Sequence, residues 1–366
     1  MQEEILPLIS VFEKIEDERK STGKRYNLSS ILVLCLVSML CGYRTYSAME
    51  KFSENYQEKM SECLGLGKRS PCKATIYNVL KMVGVKTFES AVSQWVESFL
   101  EKEDALAIDG KTMRGTRKKG GKFNHLLSAF SERLGITTYQ IAVEKKTNEI
   151  GMIIELLSSM VLEGRVLTMD AFLTQKKVAE KIISEKADYV MTAKNNQKRL
   201  REDIEYVIEV KELFSNDVAT FQTIEKGHGR RERRKIIVST PEIVKWPGVK
   251  QIFRIEREVT KKGKTSLEVV YGLTSLSCDK AGPEKLLKLN RGHWSIENKS
   301  HWVRDVTFDE DRIMIKNENI AQIMAIFRNI AIGIIRFEGH KNIAQALRFY
   351  AANPFEALAL VMLRIK

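Results

Sequence analysis

The chain has 366 residues, which is long enough for two or three domains with sizeable cores. Its formal net charge of +13 predicts a polyanionic partner, either nucleic acid or an acidic membrane surface. The five cysteines lack the spacing of zinc ligands or of a disulfide framework, which favours a reducing, cytoplasmic setting.

Residues 1–100 are predicted to form a helical N-terminal domain that could bind DNA. The longest apolar run, Ile31–Cys41, is shorter than the roughly 20 residues that span a bilayer, so it predicts a buried helix and no membrane segment. Thr75–Val83 follows basic residues and could be a DNA recognition helix. Nothing in its spacing demands that motif, and an ordinary packing helix is the favoured interpretation.

From residue 104 the pattern changes to short apolar strands that alternate with helices. This order, with antiparallel strands first and crossover helices later, is that of a ribonuclease H-like α/β domain, predicted to span residues 101–340. Asp109 ends the first strand and Asp170 ends the fourth, and these two strands are expected to lie side by side. The predicted strands are 105–109, 125–131, 136–143, 165–169 and 188–192, with helices at 150–162 and 175–186.

Residues 200–285 interrupt this domain with a charged helix and two hairpin-like pairs of strands, which predict a β-rich insertion. Helix resumes near Pro283 and continues past Glu297. The last part of the chain, residues 341–366, is predicted to be a helical tail.

The stretch from Arg291 to Arg312 reads RGHWSIENKSHWVRDVTFDEDR. On an α-helix, spacings of three, four and three residues would place Trp294, Glu297, His301 and Arg304 on one face. A neighbouring stripe, predicted to pack inward, consists of Ile296, Ser300 and Val303.

Asp109, Asp170 and Glu297 form the candidate catalytic centre. Two aspartates at strand ends and a glutamate on a later helix can hold two Mg²⁺ ions about 3.5 to 4 Å apart, with Mn²⁺ as a substitute. Such a site activates water and stabilises the leaving oxygen in phosphodiester cleavage, and it needs no nucleophilic side chain.

Basic residues follow or surround these acidic positions and predict a track for phosphates. Any single run could be only a solvated surface, but three runs flank one acidic centre. The runs are Lys111, Arg114, Arg117, Lys118, Lys119 and Lys122; Lys194, Lys198, Arg199 and Arg201; and Lys226, Arg230, Arg231, Arg233, Arg234 and Lys235 around His228.

Several long motifs occur in one order along nearly the whole chain, namely IDGKTMRG, TMDAFLTQ, YVMTAKNNQ, GHGRRERR and HWSIENKSHWVRDVTFDED. In these motifs the chain resembles the H-repeat-associated (ISAs-type) transposases, a branch of the bacterial insertion-sequence DDE transposases. The resemblance implies that Asp109, Asp170 and Glu297 are the metal-binding triad. It also implies that a further group lies near DNA or the active site: Lys194, Asn196, Gln197, His228, Arg230 and Arg233.

The chain departs from the family pattern around the glutamate. Related transposases often carry Tyr, Arg and Lys where this chain has Asn290, His293 and Arg304. Arg304 keeps a cation, whereas histidine is mostly uncharged at neutral pH. Arg291 is predicted to supply the missing phosphate contact.

The leading functional hypothesis is a DNA transposase that cleaves the ends of its element and joins the exposed 3′-OH to target DNA. Its expected partners are the terminal inverted repeats, target DNA and a second copy of the chain, in the bacterial cytoplasm at the nucleoid and not at a membrane. The alternatives are a stand-alone ribonuclease H-like nuclease and a catalytically inactive DNA-binding relic. A membrane-surface protein would explain the positive charge but not the acidic triad.

Overall fold

The computed structural model describes residues 6–20, 24–116, 124–143, 149–215, 217–227 and 229–363. The chain divides into two compact units, each built from separate stretches of sequence. The first unit contains residues 1–101, 110–146 and 297–366, and the second contains residues 102–109 and 147–296. The predicted domain boundaries near residues 100 and 340 stay a prediction.

Within the described residues the chain forms a mixed α/β fold with a helical N-terminal region, as the sequence predicts. The helices are α1 (Leu8–Glu13), α2 (Leu28–Leu40), α3 (Tyr46–Asn55), α4 (Gln57–Leu64), α5 (Lys73–Met82), α6 (Val85–Glu97), α7 (Glu149–Ser159), α8 (Lys176–Ser184), α9 (Lys198–Phe214), α10 (Pro283–Ser295), α11 (Glu318–Phe337), α12 (Ile343–Ala352) and α13 (Pro354–Met362). The strands are β1 (Ala105–Met113), β2 (Asn124–Ser131), β3 (Ile136–Val143), β4 (Val166–Met169), β5 (Asp188–Ala193), β6 (Ala219–Gly227), β7 (Arg230–Ser239), β8 (Gln251–Lys261) and β9 (Lys264–Thr274).

The core of the first unit is built around α2 and α11. Nearly every residue of α2 is buried, on all sides of the helix, which confirms the buried helix predicted from its apolar run. Helix α11 is long and apolar enough to cross a bilayer by length and composition, but 83% of its most apolar window is buried inside the protein. It packs against α2, α5 and β3, so it is the central helix of a folded core.

Helix α5 is the segment that could have been a DNA recognition helix. Its residues Ile76, Val79 and Leu80 are buried, and the helix packs against α2, α3 and α11. These contacts match the packing helix that the sequence favours.

The second unit is built on a large mixed sheet that begins with the first half of β1. The strand order is β1-β4-β5-β9-β8-β7-β6, with β1, β4 and β5 parallel and the later strands antiparallel. The first and fourth strands therefore pair directly, which confirms the predicted arrangement. The strands of the β-rich segment extend this sheet, because β9 pairs with β5.

In the first unit the second half of β1 continues beside β2 and β3, in the order β3-β2-β1. Strands β2 and β3 form the predicted hairpin. Beyond β1, Gly115 makes a close backbone contact, since a Cβ atom there would lie 2.5 Å from the Ile313 carbonyl oxygen. Only glycine fits this contact, which brings the end of β1 against the segment that follows residue 309.

A chain of buried and half-buried polar side chains links α6, β3 and α11 in the first unit. Asn329 Nδ2 donates to Gln140 Oε1 at 2.7 Å, and Gln140 Nε2 donates to Glu89 Oε1 at 3.1 Å. Burial raises the pKa of Glu89 to about 7, against the opposing effect of the hydrogen bond from Gln140.

Because the pKa of Glu89 is higher in the folded than in the unfolded chain, stability falls as the pH rises from about 4.5 to about 7. We expect Glu89→Gln to raise the free energy of unfolding by on the order of 1–3 kcal/mol at pH 8 and to change it little at pH 4.5. Urea unfolding at the two pH values measures this difference, with the exposed Glu62→Gln as control. The same effect at both pH values would contradict the assigned protonation.

Candidate functional site

Asp109 and Asp170 lie side by side at one edge of the sheet in the second unit. In the parallel ladder between β1 and β4, Ile108 is the register partner of Met169. The next residue in each case is the aspartate, so the two occupy equivalent positions after the paired part of β1 and β4. This is the pairing expected from the sequence. Asp170 directly follows β4, but Asp109 lies inside β1, which runs on to Met113, so the prediction that Asp109 ends the first strand is wrong.

The turn after Asp170 is fixed by local hydrogen bonds. Asp170 Oδ1 accepts from the backbone N–H of Leu173 at 3.1 Å, which closes an Asx-type turn. The Thr174 hydroxyl lies 3.0 Å from the Asp170 carbonyl oxygen and 2.6 Å from that of Thr192. The turn is therefore tied to the end of β5, and the Asp170 side chain is held in a defined orientation.

The residues after β5 support the same turn. Asn196 Nδ2 donates to the Ala171 carbonyl oxygen at 2.5 Å, and Gln197 Nε2 donates to that of Thr174 at 3.2 Å. Both amides, expected near DNA or the active site, thus bind the loop that carries Asp170. Lys194 is exposed beside them.

Helix α10 leads directly to Glu297. It packs against β4 and β5 in the second unit, and His293 Nδ1 lies 3.2 Å from the Thr168 hydroxyl on β4. The helix continues without a break into a π-helical segment, Ile296–His301. Glu297 therefore lies four residues, about one helical turn, after His293 along the chain.

The prediction that Trp294, Glu297, His301 and Arg304 share one helix face is confirmed for Glu297 and His301, whose side chains lie 3.5 Å apart, and is wrong for the four residues together. Trp294 and Glu297 are exposed, whereas His301 and Arg304 are buried. The reason is the π-helical hydrogen bonding from residue i to i+5, which changes which residues lie above one another. The inward stripe is confirmed, because Ile296, Ser300 and Val303 are buried.

His301 lies behind Glu297 in the first unit. Its Nδ1 is 3.5 Å from Glu297 Oε2. Burial lowers the pKa of His301, although the Glu297 carboxylate acts in the opposite direction. The imidazole is therefore neutral at neutral pH, and it can face this carboxylate only as a donor, through a ring N–H.

Lys111 and Arg114 occupy different environments. The Lys111 ammonium lies 2.6 Å from both carboxylate oxygens of Asp305, and the side chain is only 6% exposed. Lys111 thus joins β1 to the helical segment after Glu297, whereas the sequence predicted it on a phosphate track. Arg114 is exposed, and its backbone N–H donates to Asp311 Oδ1 at 3.1 Å.

Arg304 is fully buried in an ion-pair network of the first unit. Its Nε and Nη2 donate to the two oxygens of Glu310 at 2.8 and 2.9 Å, and Arg328 Nη1 donates to Glu310 Oε1 at 2.8 Å. A buried guanidinium cannot meet a phosphate at the surface, so here Arg304 orders the chain after Glu297. Burial alone would raise the pKa of Glu310, but the two guanidinium groups outweigh it and lower the pKa to about 2.

The predicted basic residues of β7 do not share one surface. Side chains alternate along a strand, so Arg230 and Arg233 point to opposite faces of the sheet. Arg230 lies on the face of the buried Glu232 carboxylate, 3.6 Å from its Oε2. Arg291 on α10 is bound by Glu225 of β6, at 2.7 and 3.2 Å. His228, Arg117, Lys118, Lys119 and Lys122 lie outside the described residues.

Sequence reasoning missed the acidic partners that organise this region, Asp305 and Glu310. The sequence shows these residues only as part of the acidic stretch 305–311 after Glu297. Such a stretch ordinarily predicts a solvent-exposed surface. A buried arginine needs a buried acid, but the sequence does not show which arginine is buried.

Comparison with known proteins gives matches along most of the chain. The profile described as "Transposase DDE domain" matches residues 100–334, and the profile "DDE_Tnp_1-associated" matches residues 9–96. YncI of Escherichia coli O157:H7, named as a transposase, is 32% identical over 348 residues, covering 91% of this chain and 88% of YncI. YhhI of Escherichia coli K12, named as an H repeat-associated transposase, is 30% identical over 344 residues, covering 91% of both chains.

A solved piggyBac transposase synaptic complex with hairpin DNA aligns with 96% of this chain and 78% of its own, at a TM-score of 0.40 and 14% identity. That likeness is too distant to bear on the fold or the site. The profile and the two bacterial relatives agree with each other over the region that contains Asp109, Asp170 and Glu297. The chain therefore belongs to the DDE transposase family and is a transposase related to the H repeat-associated proteins of bacteria.

Proposed function

We propose that this transposase cleaves the phosphodiester at the ends of its element and joins the exposed 3′-OH to target DNA, with Asp109, Asp170 and Glu297 as the catalytic triad of a ribonuclease H-like domain. One observation carries the proposal. Asp109 and Asp170 come directly after the paired residues of two parallel strands, and helix α10, which contacts β4 through His293, runs into Glu297.

The donor set fits a hard divalent cation. Three carboxylates offer only oxygen ligands, and the turn that orients Asp170 is fixed by backbone hydrogen bonds. We propose that Asp109, Asp170 and Glu297 hold two Mg²⁺ ions, for which Mn²⁺ can substitute. Bound there, the ions would lower the pKa of the attacking water and stabilise the charge on the leaving oxygen.

The protein's own groups position the DNA and the carboxylates. Exposed Arg114 and Lys194 are available to backbone phosphates. Asn196 and Gln197 fix the Asp170 turn, and His293 fixes α10 against β4.

The basic residues of the β-rich segment extend the proposed DNA contact. Arg230 and Arg233 reach DNA from opposite faces of the sheet, so we propose that they contact different parts of the DNA path. Arg291 meets a phosphate only after leaving Glu225. We place His228 with them by family likeness alone.

Cleavage at two element ends suggests that two copies of the chain act together on DNA. We propose a homodimer assembled on the terminal inverted repeats, working on the bacterial chromosome in the cytoplasm. The relatives named above come from bacteria, and the excess positive charge suits a polyanionic partner.

The test is strand nicking of a duplex that carries the element's own terminal repeats. We expect cleavage with Mg²⁺ or Mn²⁺ that leaves 3′-OH ends, no cleavage in EDTA, and joining of those ends to a second duplex. Cleavage without joining would favour a stand-alone nuclease. Binding without cleavage under either metal would favour an inactive DNA-binding relic.

Lys111 gives a sharper prediction, because its ammonium faces Asp305 and not solvent. We expect Lys111→Met to slow cleavage while leaving duplex affinity and its salt dependence unchanged, since no phosphate contact is lost. Asp305→Asn should slow cleavage in the same way. The loss of rate in the double variant should be smaller than the product of the losses in the two single variants. A smaller slope of log Kd against log salt for Lys111→Met would instead make Lys111 a phosphate contact.

A further inference from the structure

A shallow apolar groove in the first unit is not used by the mechanism above. Its volume is about 330 Å³, near the lower end of the range for small-ligand pockets. The floor is formed by small and aliphatic side chains of α12 and of the segment after Glu297, and the rim by Trp302 and two arginines. Its main lining residues are Arg44, Trp302, Val306, Ala344, Leu347 and Arg348.

The two arginines give the groove an unbalanced positive charge. No carboxylate is among its lining residues, and neither Arg44 nor Arg348 has an ion-pair partner in the part of the chain that the structure describes. Arg44 Nε is buried and has no hydrogen-bond partner there. Arg44 also lies close enough to the buried Arg328 to lower the pKa of that arginine, in addition to the larger effect of burial. The groove is therefore suited to an anionic ligand.

Trp302 gives the groove a flat aromatic wall. Its side chain is 57% exposed, which leaves much of the indole open to a ligand. Trp302 directly follows the π-helical segment, five residues and about one turn after Glu297. The aromatic wall thus stands one turn from a proposed catalytic carboxylate. Arginine beside an exposed aromatic ring is the combination that binds single-stranded nucleic acid by base stacking and phosphate contact.

We propose that this groove binds an unstacked nucleobase of a DNA strand, with the base against the Trp302 indole and an adjoining phosphate on Arg44 and Arg348. The proposal rests on the proposed function, because it assumes that DNA is cut at Glu297. The edge of the base packs against the apolar side chains of Val306 and Leu347. Because none of the described lining residues is acidic, nothing there repels the phosphate. The groove then holds a base that has left the duplex near the cleaved bond.

The experiment measures the affinity of the full-length protein for a fluorescently labelled 12-nucleotide single strand and for the matching duplex, in EDTA so that nothing is cut. We expect Trp302→Ala to weaken single-strand binding by about 5- to 150-fold. Duplex affinity should stay unchanged, and Trp302→Phe should keep most of the single-strand affinity. Arg348→Ala should weaken single-strand binding and reduce its salt dependence. Tyr206→Ala is the matched control, an aromatic side chain 60% exposed on α9 and outside the groove.

A second readout reports stacking directly. A 2-aminopurine in the single strand should lose emission on binding to the wild type and recover it with Trp302→Ala. Equal single-strand affinities of the wild type and Trp302→Ala, with duplex binding intact, would overturn the groove assignment alone. Failure of the wild type to bind either form of DNA would overturn it together with the proposed function.

Discussion

Asp170→Asn and Glu297→Gln are each expected to slow Mg²⁺-dependent cleavage of the terminal repeats by on the order of 10³-fold, the effect of losing one group that stabilises developing charge. Both changes keep the shape of the side chain and remove its negative charge. The Leu173 N–H can still donate to the side-chain oxygen of an asparagine at position 170, so the turn should persist. Single-turnover nicking under saturating protein measures the rate without a contribution from binding.

Glu180→Gln is the control, because this glutamate is exposed on α8 and is not part of the proposed triad. Its rate should equal that of the wild type. Retention of cleavage within a few-fold in Asp170→Asn or Glu297→Gln would remove that residue from the proposed triad. Loss of DNA binding in the same variants would instead show that the substitution disturbs folding or DNA affinity.

Glu310→Gln is expected to destabilise the protein by about 3–5 kcal/mol, since it leaves Arg304 and Arg328 as buried charges without their shared carboxylate. The folded pKa of Glu310 is about 2, below its ordinary value, so its contribution is present above about pH 4.5 and is lost as the pH falls toward 2. The effect should therefore be largest near neutral pH. Chemical unfolding at pH 7 measures it.

The exposed Glu62→Gln should change the free energy of unfolding by less than about 0.5 kcal/mol and serves as control. A loss below about 1 kcal/mol for Glu310→Gln would mean that solvent reaches the network. Since Arg304 lies seven positions after Glu297, partial unfolding here should also slow cleavage.

The strand order and the position of both aspartates could be predicted because each depends on a local pattern. Buried strands read as short apolar runs, and parallel strands joined by a helix must bring their carboxyl ends to one edge. One hairpin of the β-rich segment could be predicted because residues 261–264 have the composition of a turn, and β8 and β9 do meet there. These features depend on neighbouring residues, which a sequence displays.

The environment of the charged residues could not be predicted. Lys111 and Arg304 have the same appearance in the sequence as exposed cations, but each faces an acid more than five positions away, Asp305 or Glu310. The change to π-helical bonding at Ile296 also left no pattern in the residue types, so the burial of His301 and Arg304 beside the exposed Glu297 could not be predicted. For Lys111 the reason is that its acidic partner lies 194 positions away in the chain.

The central claim is that Asp109, Asp170 and Glu297 bind the divalent cations together. The most direct measurement is titration of the protein, bound to a terminal-repeat duplex, with Mn²⁺ followed by electron paramagnetic resonance. We predict two bound ions per chain in the wild type and fewer in each of Asp109→Asn, Asp170→Asn and Glu297→Gln. Undiminished Mn²⁺ binding in all three variants would contradict the account.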